Sequence, residues 1–219
     1  YTRLLADPAF STEDCAGMRL FVSGSAPLLE ETFHAFEARS GHRILERYGM
    51  TETGMNASNP LHGERRPGTV GPPLPGIEMR VVDDDGAPVP ADAVGHLQVR
   101  GPNVFAGYWK LPEKTAGDFT GDGFFNTGDL GRIDAAGYVS IVGRSKDLVI
   151  TGGLNVYPKE VERFIDGLPG VRESAVIGVP HSDFGEAVVA VVVLAAGTER
   201  APERAPEQAE AGIIAACRE

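Results

Sequence analysis

Cysteine is scarce in these 219 residues: only Cys15 and Cys217 occur. Their spacing matches neither a metal-ligand pattern nor a disulfide framework. That excludes a zinc module and a disulfide-stapled secreted fold, and fits a reducing, cytoplasmic setting. Basic residues are also in the minority. Twenty Lys and Arg against 31 Asp and Glu leave a formal charge of −11, so there is no basic footprint for nucleic acid. An anionic ligand must be held by local donors, while the overall charge serves solubility. Long apolar runs are missing too. The longest, Ala187 to Ala196, spans ten residues, about half of what a membrane-crossing helix requires. No signal peptide is visible. The chain opens on Tyr1 rather than a methionine and closes inside the helix-like stretch IIAACRE; both ends predict a piece of a longer protein.

What is plentiful is turn chemistry. Twenty-eight glycines and 16 prolines sit in short clusters, which predicts a loop-rich, strand-rich middle rather than disorder. Residues 1–67 read as the end of an α/β subdomain. RLFVSG (19–24) is a short buried strand, and SAPLLEETFHAFEARSG carries Leu29, Phe33 and Phe36 at helical spacing. Pro27 and Glu30–Glu31 suit its first turn and Gly41 its stop. HRILERYG (42–49) is a second strand, parallel to the first across a right-handed crossover. Residues 68–142 alternate in short strands with frequent turns, including DDDG (83–86) and a hairpin turning at Ala136–Gly137, and predict a β-barrel or sandwich subdomain. GRSKD (143–147) is a boundary. Residues 148–219 predict a small α+β domain: a strand pair in KDLVITGG, and a helix PKEVERFIDGLPG with Val161, Phe164, Ile165 and Leu168 on one face. Two β-branched strands, ESAVIGVP and EAVVAVVVLAA, follow, and then the solvated low-complexity stretch ERAPERAPEQ.

Four stretches carry candidate chemistry. In ILERYGMTETGMNASNP (44–60), Gly49 permits a sharp strand-to-loop turn that leaves Tyr48 on the sheet's carboxyl edge, where open α/β sheets bind ligands. The ring can stack on a purine. Thr51 offers a hydroxyl to a phosphate, and Glu52 a hard oxygen suited to Mg2+; taken alone, the stretch reads better as a polar loop capped by threonines. In VSGSAPL (22–28), a strand gives way to a helix start, so free N–H groups can cradle a nucleotide, or this is an ordinary serine-capped loop. In GFFNTGDLG (123–131), Thr127–Gly128 turns the chain so that Asp129 projects from a strand end. A carboxylate there can accept both ribose hydroxyls or close an Asp turn. In GRSKDLVITGGLNVYPKEVE (143–162), Arg144 is a planar multi-donor, Lys146 sits where a hinge is expected, and Gly152–Gly153 allows close passage of another molecule.

In order and spacing, YGMTE, NTGDLG and GRSKDLVITGGLNVYPKEVE resemble the consecutive signatures of the adenylate-forming superfamily, which includes acyl-CoA synthetases, nonribosomal adenylation domains and luciferases. The whole chain fits that family's second half. The resemblance implies an adenine pocket at Gly24, Ser25 and Ala26 with Tyr48 stacked on the base. It implies α-phosphate contact by Thr51, Mg2+ ligation by Glu52, and ribose contacts from Asp129 and Arg144. Lys146 is implied as the hinge, and Gly152, Gly153 and Leu154 as the loop flanking the pantetheine tunnel. ATP, Mg2+ and coenzyme A are the implied cofactors, and ligation of an acid to CoA through an acyl-adenylate is the implied reaction.

ERYGMTETGMNASNP, with SGSAPLLEETF before it and GPNVFAGYW after it, looks most like malonyl-CoA synthetases. Malonate brings a second carboxylate, for which Arg47 is the candidate cation, with Arg65 and Arg66 as rivals and Met55 and Asn56 shaping the acid pocket. Alternation turns Arg47 away from Tyr48 unless the strand ends there. Other short acids, carrier-protein loading and a non-catalytic nucleotide-binding module are the alternatives. The superfamily's Ser/Thr/Gly-rich phosphate loop and its C-terminal catalytic lysine have no counterpart here, and neither Lys146 nor Lys159 takes the latter's place. The expectation is therefore a partner region, the N-terminal half of the same enzyme, and no useful adenylation by this stretch alone.

Overall fold

The structure, a computed structural model, describes residues 1–195 and 205–217. It divides into two compact units, Tyr1–Ile141 and Val142–Glu219.

The first unit begins with a short helix α1 (Thr2–Ala6), a 3-10 turn (Glu13–Cys15) and strand β1 (Val22–Ser23). Helix α2 (Glu30–Ser40) carries β1 over to β2 (Leu45–Met50), and the two strands pair in parallel, Val22 beside Leu45 and Ser23 beside Glu46. Phe33 and Phe36, one turn apart on α2, are fully buried with Ile44 and gather Tyr1, Leu5, Phe10, Phe21 and Leu28 around them. Gly41 closes the helix in the left-handed conformation, which costs glycine nothing. The helix starts at Glu30, three residues after Pro27. The intervening stretch stays irregular, with Ser25 at φ +71, so Pro27 lies outside the first turn where the sequence put it.

Strand β2 does not run into an open loop after Tyr48. It continues through Gly49 to Met50 and folds back as β3 (Gly54–Ser58), making the three-stranded sheet β1-β2-β3. A Cβ on Gly49 would lie 2.1 Å from the Gly54 carbonyl oxygen, so this tight return requires a residue without a side chain.

Four further strands, β4 (Glu78–Val82), β5 (Gly95–Arg100), β6 (Phe125–Ile133) and β7 (Val139–Arg144), form an antiparallel sheet in that order, with helix α3 (Pro112–Asp118) between β5 and β6. The two sheets share one core: Tyr48 and Ala57 pack with Val81, Leu97 and Val139. Bridges from Ala57 to Pro73 and from Gly71 to Val139 carry the pairing from one sheet to the other. The β6–β7 turn centres on Asp134, whose Oδ1 accepts the N–H groups of Ala136 and Tyr138 at 2.9 and 2.8 Å. On the outer face, Arg80 lies 3.9 Å from the Phe124 ring centroid and donates to Asp122 at 2.6 Å.

The second unit contains a 3-10 turn (Ser145–Asp147) and strands β8 (Val149–Thr151) and β9 (Leu154–Val156). Helix α4 (Pro158–Asp166), strands β10 (Val171–His181) and β11 (Gly185–Leu194), and helix α5 (Ala205–Ala216) complete it. Its sheet has the order β10-β11-β8-β9. Gly152 and Gly153, both at positive φ, form the two-residue β8–β9 turn, as the twist of a tight hairpin demands. On α4, Ile165 is buried but Phe164 is 49% exposed. Glu162 takes the inward place because its Oε1 accepts the Val176 N–H at 2.9 Å. The low-complexity stretch divides: residues 199–204 lie outside the described residues, and Ala205–Gln208 begin α5. Among the described residues no helix is long and apolar enough to cross a membrane.

Candidate functional site

The parallel register of β1 and β2 sets the site's first contact. Ser23 pairs with Glu46, so the next residues, Gly24 and Arg47, are neighbours where β1 ends and β2 runs on. A Cβ on Gly24 would fall 2.9 Å from the Arg47 guanidinium carbon. Glycine there lets the cation lie against the turn's backbone. Ser25, at φ +71, and Ala26 are exposed at the turn itself. A non-glycine residue held in the left-handed region is the kind of local strain that collects at binding turns.

Tyr48 lies on the other face of β2, as alternation demands, and is 9% exposed. Its hydroxyl donates to Asp129 Oδ2 at 2.5 Å across 81 residues of sequence. Asp129 is 4% exposed and sits within the nine-residue strand β6, not at a strand end as the sequence suggested. The register explains its presentation. His96 pairs with Leu130 and Gln98 with Asn126, so Leu97 alone stands against residues 127–129. This bulge re-aims the side chains on it. Thr127 Oγ1 fixes it by donating to the Leu97 carbonyl at 2.8 Å and accepting the Asp129 N–H at 3.1 Å.

Thr51 and Glu52 occupy the tip of the β2–β3 hairpin, Thr51 exposed and Glu52 half-buried, with Thr53 fully buried behind them. Met55 stands opposite Gly49, and Asn56 is buried at the register shift. Glu52 Oε1 accepts the Tyr108 hydroxyl at 3.3 Å, and Glu52 Oε2 has no hydrogen-bond partner among the described residues. Burial, and after it the Glu52 charge, push the Tyr108 phenol up, so it stays protonated as a donor. Among the described residues no three His, Cys, Asp or Glu side chains cluster to hold a metal. A single carboxylate with one open oxygen fits Mg2+ carried largely by ligand phosphates and water.

The rival arginines are committed elsewhere. Arg65 donates to the carbonyls of Pro60, Arg43 and Leu61. Arg66 pairs with Glu64 and Asp134 and lies 4.0 Å from the Tyr138 ring centroid. The Arg47 side chain has neither a hydrogen bond nor an ion pair among the described residues, though its backbone lies in the β2–β3 ladder opposite Ser58.

Arg144, Lys146, Gly152, Gly153 and Leu154 belong to the second unit. Arg144 ends β7, Lys146 is exposed on the 3-10 turn, and the two glycines and Leu154 form the exposed β8–β9 tip. Sequence reading missed Tyr108 and Asn103, both in the stretch GPNVFAGYW, whose run of aromatics after a glycine was the available signal. Trp109, the chain's one tryptophan, is 85% exposed beside Tyr108.

Known proteins resemble this chain along most of its length. The family model for AMP-binding enzymes matches residues 1–109, and that for the AMP-binding enzyme C-terminal domain matches residues 160–219. A malonate–CoA ligase of Arabidopsis thaliana is 44% identical over 187 residues, covering 85% of this chain and 30% of that protein. A sulfoacetate–CoA ligase of Cupriavidus necator is 47% identical over 181 residues, covering 82% of this chain and 35% of that protein. The crystal structure of ATP-bound MatB from Rhodopseudomonas palustris superposes with a TM-score of 0.90 at 57% identity, covering 96% of this chain and 42% of that one. The chain spans about a third of the length of the curated relatives it matches.

Proposed function

The chain belongs to the AMP-binding, adenylate-forming enzyme family and has its fold, α/β with a β-barrel subdomain and a small α+β C-terminal domain, and from that premise we propose that it serves an ATP-dependent acid–CoA ligase acting on malonate. The observation that carries the reading is the Tyr48–Asp129 hydrogen bond. It joins two motifs, 81 residues apart, that a nucleotide site needs side by side.

In this reading the Gly24–Ala26 turn and the Tyr48 ring hold adenine, Asp129 takes the ribose hydroxyls with Arg144, and Thr51 contacts the α-phosphate. Glu52 holds Mg2+, which when bound neutralises phosphate charge. A carboxylate oxygen of the acid attacks the α-phosphorus. That P–O bond forms as the bond to the bridging oxygen breaks, and pyrophosphate leaves. The CoA thiol, losing its proton to solvent, then attacks the acyl carbon and expels AMP. The chain's residues contribute position and charge rather than covalent chemistry. Lys146 is the pivot between the two steps, and the loop of Gly152, Gly153 and Leu154 flanks the thiol's path.

Malonate is supported by Arg47 beside the Gly24 turn, which unlike Arg65 and Arg66 has a side chain without a hydrogen bond or ion pair among the described residues. Its guanidinium suits a second carboxylate. The sulfoacetate ligase relative supports a close second reading, because sulfoacetate also presents a second anion to such a cation. Pyrophosphate release by the intact enzyme, measured with malonate, sulfoacetate, acetate and propionate, tests both. Replacing Arg47→Leu removes hydrogen bonds to a charged partner worth about 1.5–3 kcal/mol. It is expected to lower kcat/KM for the preferred dianion by roughly 10- to 100-fold while sparing acetate. Equal losses on all four acids remove Arg47 from the role.

A further inference from the structure

We propose that Tyr108 is a positioning residue for Glu52, holding one carboxylate oxygen so that the other is presented to the Mg2+–nucleotide complex. The proposal rests on the nucleotide reading above and assigns a task to a segment outside its motifs.

Glu52 sits at a hairpin tip, beyond the Met50–Gly54 pair, where the Thr53 N–H donates to the Met50 carbonyl at 3.2 Å. A carboxylate on such a tip is free to rotate, and Mg2+ tolerates little deviation from octahedral geometry. The stretch 103–108 supplies the missing rigidity. The Phe105 N–H donates to the Glu52 carbonyl at 2.8 Å. Asn103 Nδ2 donates to the Thr53 carbonyl at 2.7 Å and to Asn56 Oδ1 at 3.0 Å. With the backbone pinned twice, the Tyr108 hydroxyl reaches Glu52 Oε1.

Tyr108 is itself held in place. Its N–H donates to Thr115 Oγ1 at 2.9 Å, and its ring packs edge-on to Phe105 at 4.8 Å between centroids. The Lys114 ammonium lies 4.5 Å from the ring centroid, tied to Asp118 at 2.8 Å. Asp118 thereby occupies the cation that would compete for Glu52, and no ion pair joins Lys114 to Glu52 among the described residues. A neutral phenol donor leaves the carboxylate its charge and one oxygen open, as an outer partner of a metal ligand should.

The test is ATP binding by the full chain, followed by calorimetry against free Mg2+ with no acid or CoA present, so that nothing turns over. Wild type, Tyr108→Phe and Glu52→Gln are compared. Tyr108→Phe keeps the ring contacts, and its melting temperature is expected to match wild type. Its half-saturating Mg2+ concentration is expected to rise about 10-fold, with ATP affinity at saturating Mg2+ unchanged. In the Glu52→Gln background the same change is expected to add nothing. An unshifted midpoint in Tyr108→Phe, alongside a shifted one in Glu52→Gln, overturns the positioning role and leaves the ligase reading standing. Mg2+-independent binding in wild type overturns both.

Discussion

Removing one oxygen tests the bond on which the site is built. Tyr48→Phe keeps the ring in its contacts with Ala57, Val81, Leu97 and Val139 and deletes the donor to Asp129. Both residues are buried, Tyr48 at 9% and Asp129 at 4% exposure, and water cannot readily replace the lost hydroxyl. A hydrogen bond to a carboxylate contributes about 1.5–3 kcal/mol. A loss near the middle of that range lowers Tm by roughly 4–8 °C at this chain length. Chemical denaturation reads the stability and calorimetry with AMP reads the site, where a mis-aimed Asp129 is expected to weaken AMP about 10-fold, or ~1.4 kcal/mol. Asp129→Asn is the complement, since it preserves an acceptor for the hydroxyl but removes the charge. In the double-mutant cycle a coupling energy of about 1 kcal/mol or more is expected. Additive effects, within about 0.3 kcal/mol, would show that the two residues do not work through each other and would remove the central support of the nucleotide site.

Two perturbations probe the scaffold. Gly49→Ala drives a methyl into the Gly54 carbonyl 2.1 Å away, so the hairpin must open; a loss of about 2–4 kcal/mol by denaturation is expected, with ATP affinity falling as Glu52 shifts. Asp122 is held at about 2, below its ordinary 3.8, first by Arg80 and next by Thr120. A depressed carboxyl stabilises the fold above its unfolded pKa and stops doing so as pH falls through the folded one. The stability gap between wild type and Asp122→Asn should therefore close between about pH 4 and pH 2, and a gap that persists at pH 2 contradicts the pairing.

Local signals revealed the scaffold better than the site. Phe33 and Phe36 at helical spacing, with a glycine stop, gave α2 and the strands it joins, because burial of one helix face is written in a short window. Strand β3 was hidden. GMNAS contains no β-branched residue, and it is a strand only because Gly49 lets β2 turn back on it. The bulge at Asp129 was hidden for a similar reason: it exists through a mismatch with Leu97, thirty-odd residues away in sequence. The companionship of Arg47 and Gly24 follows from a parallel register that neither segment encodes alone. Phe164 lies outside the apolar face expected of it, and Glu162 turns inward because a strand N–H offers it a partner. Tyr108 and Asn103 act across about fifty positions, a distance that periodicity does not reach.

The single indole of this molecule stands in water one residue from the phenol that touches Glu52. At 85% exposure its native emission is expected to have the colour of a solvated ring, so that unfolding changes the wavelength little. What it can follow is the loop itself. Quenching of Trp109 by small solutes samples the 103–110 segment alone, which makes this side chain a built-in optical gauge of whether that segment stays clamped on the hairpin or lets it go.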